Sequence, residues 1–101
     1  MKQIVIFASG NGSNAQRIIE YFHSDNKVRV VAIYCNNSGA YIVERAKKLE
    51  VPLRLFTKEE FIKPGGVPDE LKKIEPDLIV LSGFLLLVPK NMIASFPNKI
   101  I

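Results

Sequence analysis

Short runs of β-branched and apolar residues alternate strictly with longer mixed segments along this chain, and that alternation leaves few folds open. Ile4-Val5-Ile6-Phe7-Ala8 is continuous, apolar and bounded by Gly10, as a strand buried on both faces would be. Asn14 to about Ser24 places Ile18, Ile19 and Phe22 at helical spacing. Val28 to Tyr34 reads as a second strand, Asn36-Asn37-Ser38-Gly39 as a turn, and Ala40 to Leu49 as a second helix. Leu53 to Phe56 gives a short third strand. Thr57 and Glu60 have capping-box spacing and open a short helix that Pro64-Gly65-Gly66 ends. Another short helix runs through Glu70 to Ile74, and Leu78 to Leu81 is a fourth strand. Pro89 stands where the first turn of a further helix tolerates it. The pattern predicts a Rossmann-like open α/β fold, a parallel sheet with helices on both faces, in strand order 3-2-1-4.

Composition narrows the functional classes. At 101 residues the chain makes one domain at most, and 48% hydrophobic with 24% charged residues is a globular balance, not that of a disordered tail. The net charge of +4 is spread out, and the pairs Lys47-Lys48 and Lys72-Lys73 are short. Nucleic-acid arms carry longer basic blocks, so no nucleic-acid partner is expected; an anionic small molecule suits this weak field. The single cysteine, Cys35, excludes an internal disulfide framework and a multi-cysteine metal site, and no metal is expected. Leu78 to Val88 is broken by Ser82 and Gly83 and is too short to span a bilayer. The apolar run after Lys2 is too short for a signal peptide, so a soluble cytoplasmic protein without a membrane partner is expected. After Pro97-Asn98, Lys99-Ile100-Ile101 reads as the start of a fifth strand. Residues 1–101 are therefore expected to form a single partial domain, the front portion of a larger one.

Two loops carry the chemistry. Ser9-Gly10-Asn11-Gly12-Ser13-Asn14 follows the first strand and opens the first helix, where unpaired N–H groups and the positive dipole end attract an anion. Ser13 or Asn14 is expected to cap that helix, and a side chain introduced at Gly12 is expected to project toward the bound anion. A capped turn with no ligand needs fewer glycines and fewer small polar residues than these. Gly10-x-Gly12-x-x-Ala15 also matches the loose dinucleotide pattern, but the acid that would hold a ribose is replaced by Asn36 and Asn37. Ser82-Gly83-Phe84-Leu85-Leu86-Leu87-Val88 ends the fourth strand. In order 3-2-1-4 the two loops face each other where the winding reverses, one polar, one apolar, as a phosphorylated ligand and a flat hydrophobic one would require. Ordinary core packing is the competing reading for each of these leucines. His23 reads as a surface or helix-end residue, Cys35 as a packed strand end, and Glu59-Glu60 as helix capping. No residue in the chain reads as catalytic.

These residues carry a resemblance. S-G-N-G-S-N after an N-terminal strand, P-D-L-I-V-L-S-G-F-L-L-L-V-P from Pro76, and F-P-N-K-I-I from Phe96 resemble the N-terminal half of the glycinamide ribonucleotide formyltransferase family. The resemblance covers the whole chain. It implies a cytoplasmic, folate-dependent enzyme of purine biosynthesis that moves a formyl group from 10-formyltetrahydrofolate, its co-substrate, to glycinamide ribonucleotide. It implies that Gly12, Ser13 and Asn14 bind the substrate phosphate. It also implies that Leu85, Leu86, Leu87 and Val88 line the folate pocket, with Lys63 the nearest match to a basic residue that touches the folate tail. Many members carry Arg where this chain has Leu86. The family's catalytic Asn-x-His-Pro segment and Asp would lie beyond Ile101, so the 101 residues alone are expected to be inactive. Their partner is then the missing C-terminal half, or a second copy through the open sheet edge. A non-enzymatic Rossmann-like binding or assembly module and an NAD-binding fragment are the alternatives, and Asn-x-His-Pro downstream would separate them from the enzyme.

Overall fold

An unbroken run of isoleucine, valine and phenylalanine favours extended backbone. In the computed structural model, which describes residues 1–101, that run forms the central strand β1 (Lys2–Ala8). It is followed by α1 (Ser13–Tyr21), β2 (Val28–Cys35), α2 (Ile42–Leu49) and β3 (Leu53–Leu55), then α3 (Lys58–Ile62), α4 (Val67–Ile74), β4 (Leu78–Leu81) and α5 (Lys90–Ser95). The sheet is parallel, in order β3-β2-β1-β4, as the alternation predicted. Alternating side chains of β1 point to opposite faces. Ile4, Ile6 and Ala8 pack with Ala15 and Ile19 of α1 and Ile42 and Ala46 of α2. Val5 and Phe7 pack with Phe61 of α3, Leu71 of α4 and Met92 of α5. Burying each large side chain contributes about 1.5–3 kcal/mol before entropy is counted.

Element ends differ from the sequence reading where short polar side chains compete for the backbone. Helix α1 stops at Tyr21, short of Ser24, and the chain turns as the Asp25 carboxylate accepts from the Lys27 amide. Helix α2 starts at Ile42, not Ala40, because the Asn37 side chain takes the Gly39 amide in a turn. Helix α4 starts earlier than expected, at Val67, with Pro68 in its first turn. The capping box forms as read: the Glu60 amide donates to Thr57 Oγ1 at 3.2 Å and the Thr57 amide to Glu60 Oε1 at 3.0 Å. The Ile79 amide donates to Lys99 O, and the Ile101 amide donates to Ile79 O. Lys99–Ile101 thus lies parallel along the outer edge of β4, where a fifth strand was predicted to begin.

One charged network ties β3 to the helices that cover it. Arg54 donates to Glu70 Oε2 at 2.7 Å and to Glu60 Oε2 at 2.9 Å, while Tyr34 Oη donates to Glu70 Oε1 at 2.9 Å. The guanidinium holds both carboxylates below their ordinary value, and burial followed by the Glu70 contact pushes the Tyr34 phenol up. The side chains of Arg54 and Glu70 are each 35% exposed, so screening reduces what the pair contributes. Glu70→Ala is expected to lower the unfolding free energy by about 1–2 kcal/mol at neutral pH. A carboxylate with a lowered folded pKa supplies stability that is complete above the ordinary 4.5 and disappears as pH falls through the lowered value. Thermal melts of wild type and variant should therefore converge on acidification. A gap that stays constant down to acid pH would remove the charge from this account.

Candidate functional site

Both loops picked out by the sequence lie at the carboxyl ends of β1 and β4, the neighbouring strands between which the winding reverses. Residues 10–14 with Ser82 and Gly83 enclose a cavity of about 160 Å³ without one apolar side chain in its wall. The first-turn amides of α1 have no partners within their helix, and they begin at this cavity. Here a prediction is corrected. Neither Ser13 nor Asn14 caps the helix: Gly12 is the N-cap, in the left-handed conformation at φ 81°, and no side chain accepts from the first turn. The amides and both side chains therefore stay available to an outside acceptor.

Helix α2 holds this loop from behind, a role that sequence reasoning missed. Arg45 Nε donates to Asn11 O at 2.7 Å, Nη2 donates to Asn11 Oδ1, and Nη1 donates to Gln16 Oε1 at 2.6 Å. The guanidinium also lies 4.9 Å from the centre of the Tyr41 ring. The Ile42 amide donates to Gly10 O at 3.2 Å. A Cβ at Gly12 would not face the anion, as the sequence suggested. It would stand 2.3 Å from Ile42 Cδ1 and 2.9 Å from Ile42 Cβ. Glycine is required at this position by the core behind the loop. Only the turn chemistry of the loop was visible in sequence; Arg45 is 34 residues away from Asn11 and carries no local signal.

The second loop is a ledge of alternating side chains. Gly83 turns it at φ 62°, after which Phe84, Leu86 and Val88 pack on the cluster around Val5 and Phe7, while Leu85 and Leu87 are 81% and 93% exposed. Core packing therefore accounts for Leu86 and not for its two neighbours. Phe84 sits against Phe7, Phe56 and Phe61, with ring centroids 5.2, 6.1 and 5.4 Å away. Leu85 to Pro89 form one wall of a groove of about 530 Å³, and Phe61, Ile62 and Lys58 of α3 form the other. Lys90 also lines it. Lys63, at the C-cap of α3, lies outside the lining. Ser9, 2% exposed, connects the two loops: it donates to Asn36 Oδ1 at 2.6 Å and accepts from the Leu85 amide at 3.0 Å.

The remaining candidates fall away from these cavities. His23 follows α1 and lines a cavity with Met1, Val28 and Leu49, at the opposite end of the sheet. Burial pushes the Cys35 thiol up, and its sulfur is engaged with the Asn37 backbone. Asn36 Oδ1 accepts from Ser9 and Asn37 Oδ1 from the Gly39 amide, so both oxygens are already engaged within the chain, and neither supplies the acid that would hold a dinucleotide ribose. No cluster of His, Cys, Asp and Glu with the makings of a metal site occurs, and no helix is long and apolar enough to cross a membrane.

Comparison with known proteins agrees with this geometry. The family model described as formyl transferase matches residues 2–101. Phosphoribosylglycinamide formyltransferase of Haemophilus influenzae is 31% identical over 106 aligned positions, which take in 100% of this chain and 50% of that protein. The enzyme of the same name from Dictyostelium discoideum is 32% identical, over 95% of this chain and 53% of its own length. Among solved structures, glycinamide ribonucleotide transformylase 1 from Geobacillus kaustophilus superposes with a TM-score of 0.85 at 30% identity. That match covers 99% of this chain and 56% of the other. The chain spans about half the length of the curated relatives it matches.

Gly12→Ala separates the packing requirement from the ligand requirement. The added methyl meets Ile42 and must hold a left-handed backbone, which together should cost roughly 2–4 kcal/mol. Gly10→Ala is the control, since a Cβ there meets nothing within 4 Å; its cost should stay below about 1 kcal/mol. Urea denaturation midpoints measure both. Equal costs at the two glycines would contradict the placement of Ile42 behind the loop.

Proposed function

The chain belongs to the formyl transferase family, and from that membership we propose that it supplies the phosphate-binding and folate-binding surfaces of a phosphoribosylglycinamide formyltransferase of purine biosynthesis. The reaction transfers a formyl group from 10-formyltetrahydrofolate to the amine of glycinamide ribonucleotide. The observation that carries this reading is the pairing of two unlike cavities at one winding reversal. One is polar, small and edged by free amides; the other is larger, apolar and flanked by two lysines.

Each residue then has a task. The amides of Gly12, Ser13 and Asn14, with the Ser13 hydroxyl and Asn14 side chain, bind the substrate phosphate dianion at the positive end of α1. Arg45 keeps Asn11 in place, so the loop is organised before the ligand arrives. Leu85, Leu86, Leu87 and Val88 receive the flat pteridine ring through apolar contact and main-chain groups. Lys58 and Lys90 attract the carboxylates of the folate tail; Lys63, off the groove wall, adds only to the surrounding positive field. The amine attacks the formyl carbon, the tetrahedral centre collapses, and the bond to the folate nitrogen breaks. Holding the two reactants at adjacent strand ends is this segment's contribution. The titratable side chains lining the two cavities are lysines, and none is a match for the base and acid that the steps require. In this reading those groups come from outside residues 1–101, as the resemblance implies with its Asn-x-His-Pro segment and Asp.

The test measures formyl transfer with residues 1–101 alone, with a chain carrying the Asn-x-His-Pro half, and with both mixed. The first should give no turnover, because lost acid–base and oxyanion help each cost about 10² to 10⁴ in rate. The mixture should regain activity as the outer edge of Lys99–Ile101 gains a strand neighbour. Turnover by the 101 residues alone would place catalysis inside them and overturn the division of labour. Binding of ribose 5-phosphate that is indifferent to Asn14→Ala would remove the phosphate assignment.

A further inference from the structure

The apolar ledge poses a physical problem. Exposed leucines on an irregular loop normally collapse onto nearby apolar surface, yet Leu85 and Leu87 stand out from the protein. The loop has few means of holding them there. Its backbone, from Gly83 to Val88, makes no backbone–backbone hydrogen bond. The single hydrogen bond these residues make is the one from the Leu85 amide to Ser9 Oγ, at 3.0 Å. Ser9 is buried, and its own hydroxyl proton is directed to Asn36 Oδ1 at 2.6 Å. With that proton committed, a lone pair faces Leu85. A buried hydroxyl that lost either partner would carry a desolvation penalty, so the arrangement holds as a unit.

We infer that Ser9 is a positioning residue: it fixes the Leu85–Leu87 ledge at a set distance from the polar loop that begins at Gly10, and so sets the spacing between the two ligands. This rests on the reading above, in which the groove takes the folate ring and the polar loop takes the phosphate. The chain geometry gives the device its reach. Ser9 follows β1, Asn36 follows β2, and Leu85 lies beyond β4, so one side chain ties together the ends of three strands. The packing of Phe84, Leu86 and Val88 holds the loop against the core. The Leu85 amide bond fixes where along the crevice its outer leucines stand.

The experiment compares wild type and Ser9→Ala by amide hydrogen exchange and by titration with two probes, ribose 5-phosphate and 5-formyltetrahydrofolate. In the ligand-free variant, exchange at the Leu85 amide should accelerate at least about tenfold, while the β1 amides stay protected. Affinity for the folate probe should fall at least about fivefold, the effect of losing one buried hydrogen bond, with ribose 5-phosphate affinity unchanged. Acceleration spread over the whole core, or equal losses for both probes, would mark Ser9 as merely structural and overturn the inference. So would an unchanged Leu85 amide. If Ser9→Ala does not fold, Asn36→Ala leaves the hydroxyl in place but removes its acceptor; the same selective pattern at reduced size is expected, and its absence overturns the inference. Failure of the wild type to bind either probe would sink the functional reading. Selective loss of Leu85 protection in the variant would then still support Ser9 as the anchor of the ledge.

Discussion

Strand β1 is hydrogen-bonded to β2 on one edge and to β4 on the other, and its side chains are buried on both faces. The rest of the structure depends on that double commitment. The chain first winds outward through α1, β2, α2 and β3, then returns through α3 and α4 to reach the free edge of β1. Reversing direction at β1 sends the helices that follow β1 and β4 to opposite faces of the sheet, which parts their loops. The crevice is therefore a consequence of strand order, and the loops after β1 and β4 are its walls whatever their sequence. What the sequence contributes is their contrast: glycine, serine and asparagine on one side, leucine on the other.

Much of this was legible because it is written in local periodicity. The four strands, their order and the capping box at Thr57 follow from runs and spacings of a few residues. The position and polarity of the first loop were recognisable too, since glycine and small polar residues fall within one short stretch. Element ends were less so. Asn37 and Asp25 each draw a backbone amide into a turn, and short polar side chains at a boundary give no sign of which amide they will take.

The supports behind the loops were not legible, and for a common reason. Arg45 reaches Asn11 across 34 residues, Ser9 reaches Leu85 across 76, and Ile42 meets Gly12 only because α1 and α2 share a face of the sheet. None of these contacts leaves a periodic trace. Arg45 in sequence is one cation of a helix that also carries Lys47 and Lys48, and nothing local distinguishes it from them. Gly12 shows how far such contacts alter an interpretation. Its glycine was predicted to make room for an anion, whereas the structure assigns that room to Ile42.

The two walls of the crevice are stiffened by different physics, and this suits the two ligands proposed for them. The polar wall is fixed by directional bonds from Arg45, which orient donors but leave the first-turn amides of α1 unspent. The phosphate proposed for this wall would need that economy, because every amide consumed internally is one that cannot face a ligand. The apolar wall rests on the cluster of Phe7, Phe56, Phe61 and Phe84, whose packing resists compression but does little to prevent sliding. Sliding is what a single hydrogen bond can stop. Placing one buried hydroxyl between the walls supplies the direction that packing lacks, and it does so at Ser9, next to the glycine where the polar loop begins. The distance between the walls is thus set by one residue of the central strand's end, where displacement of either loop is felt by the other.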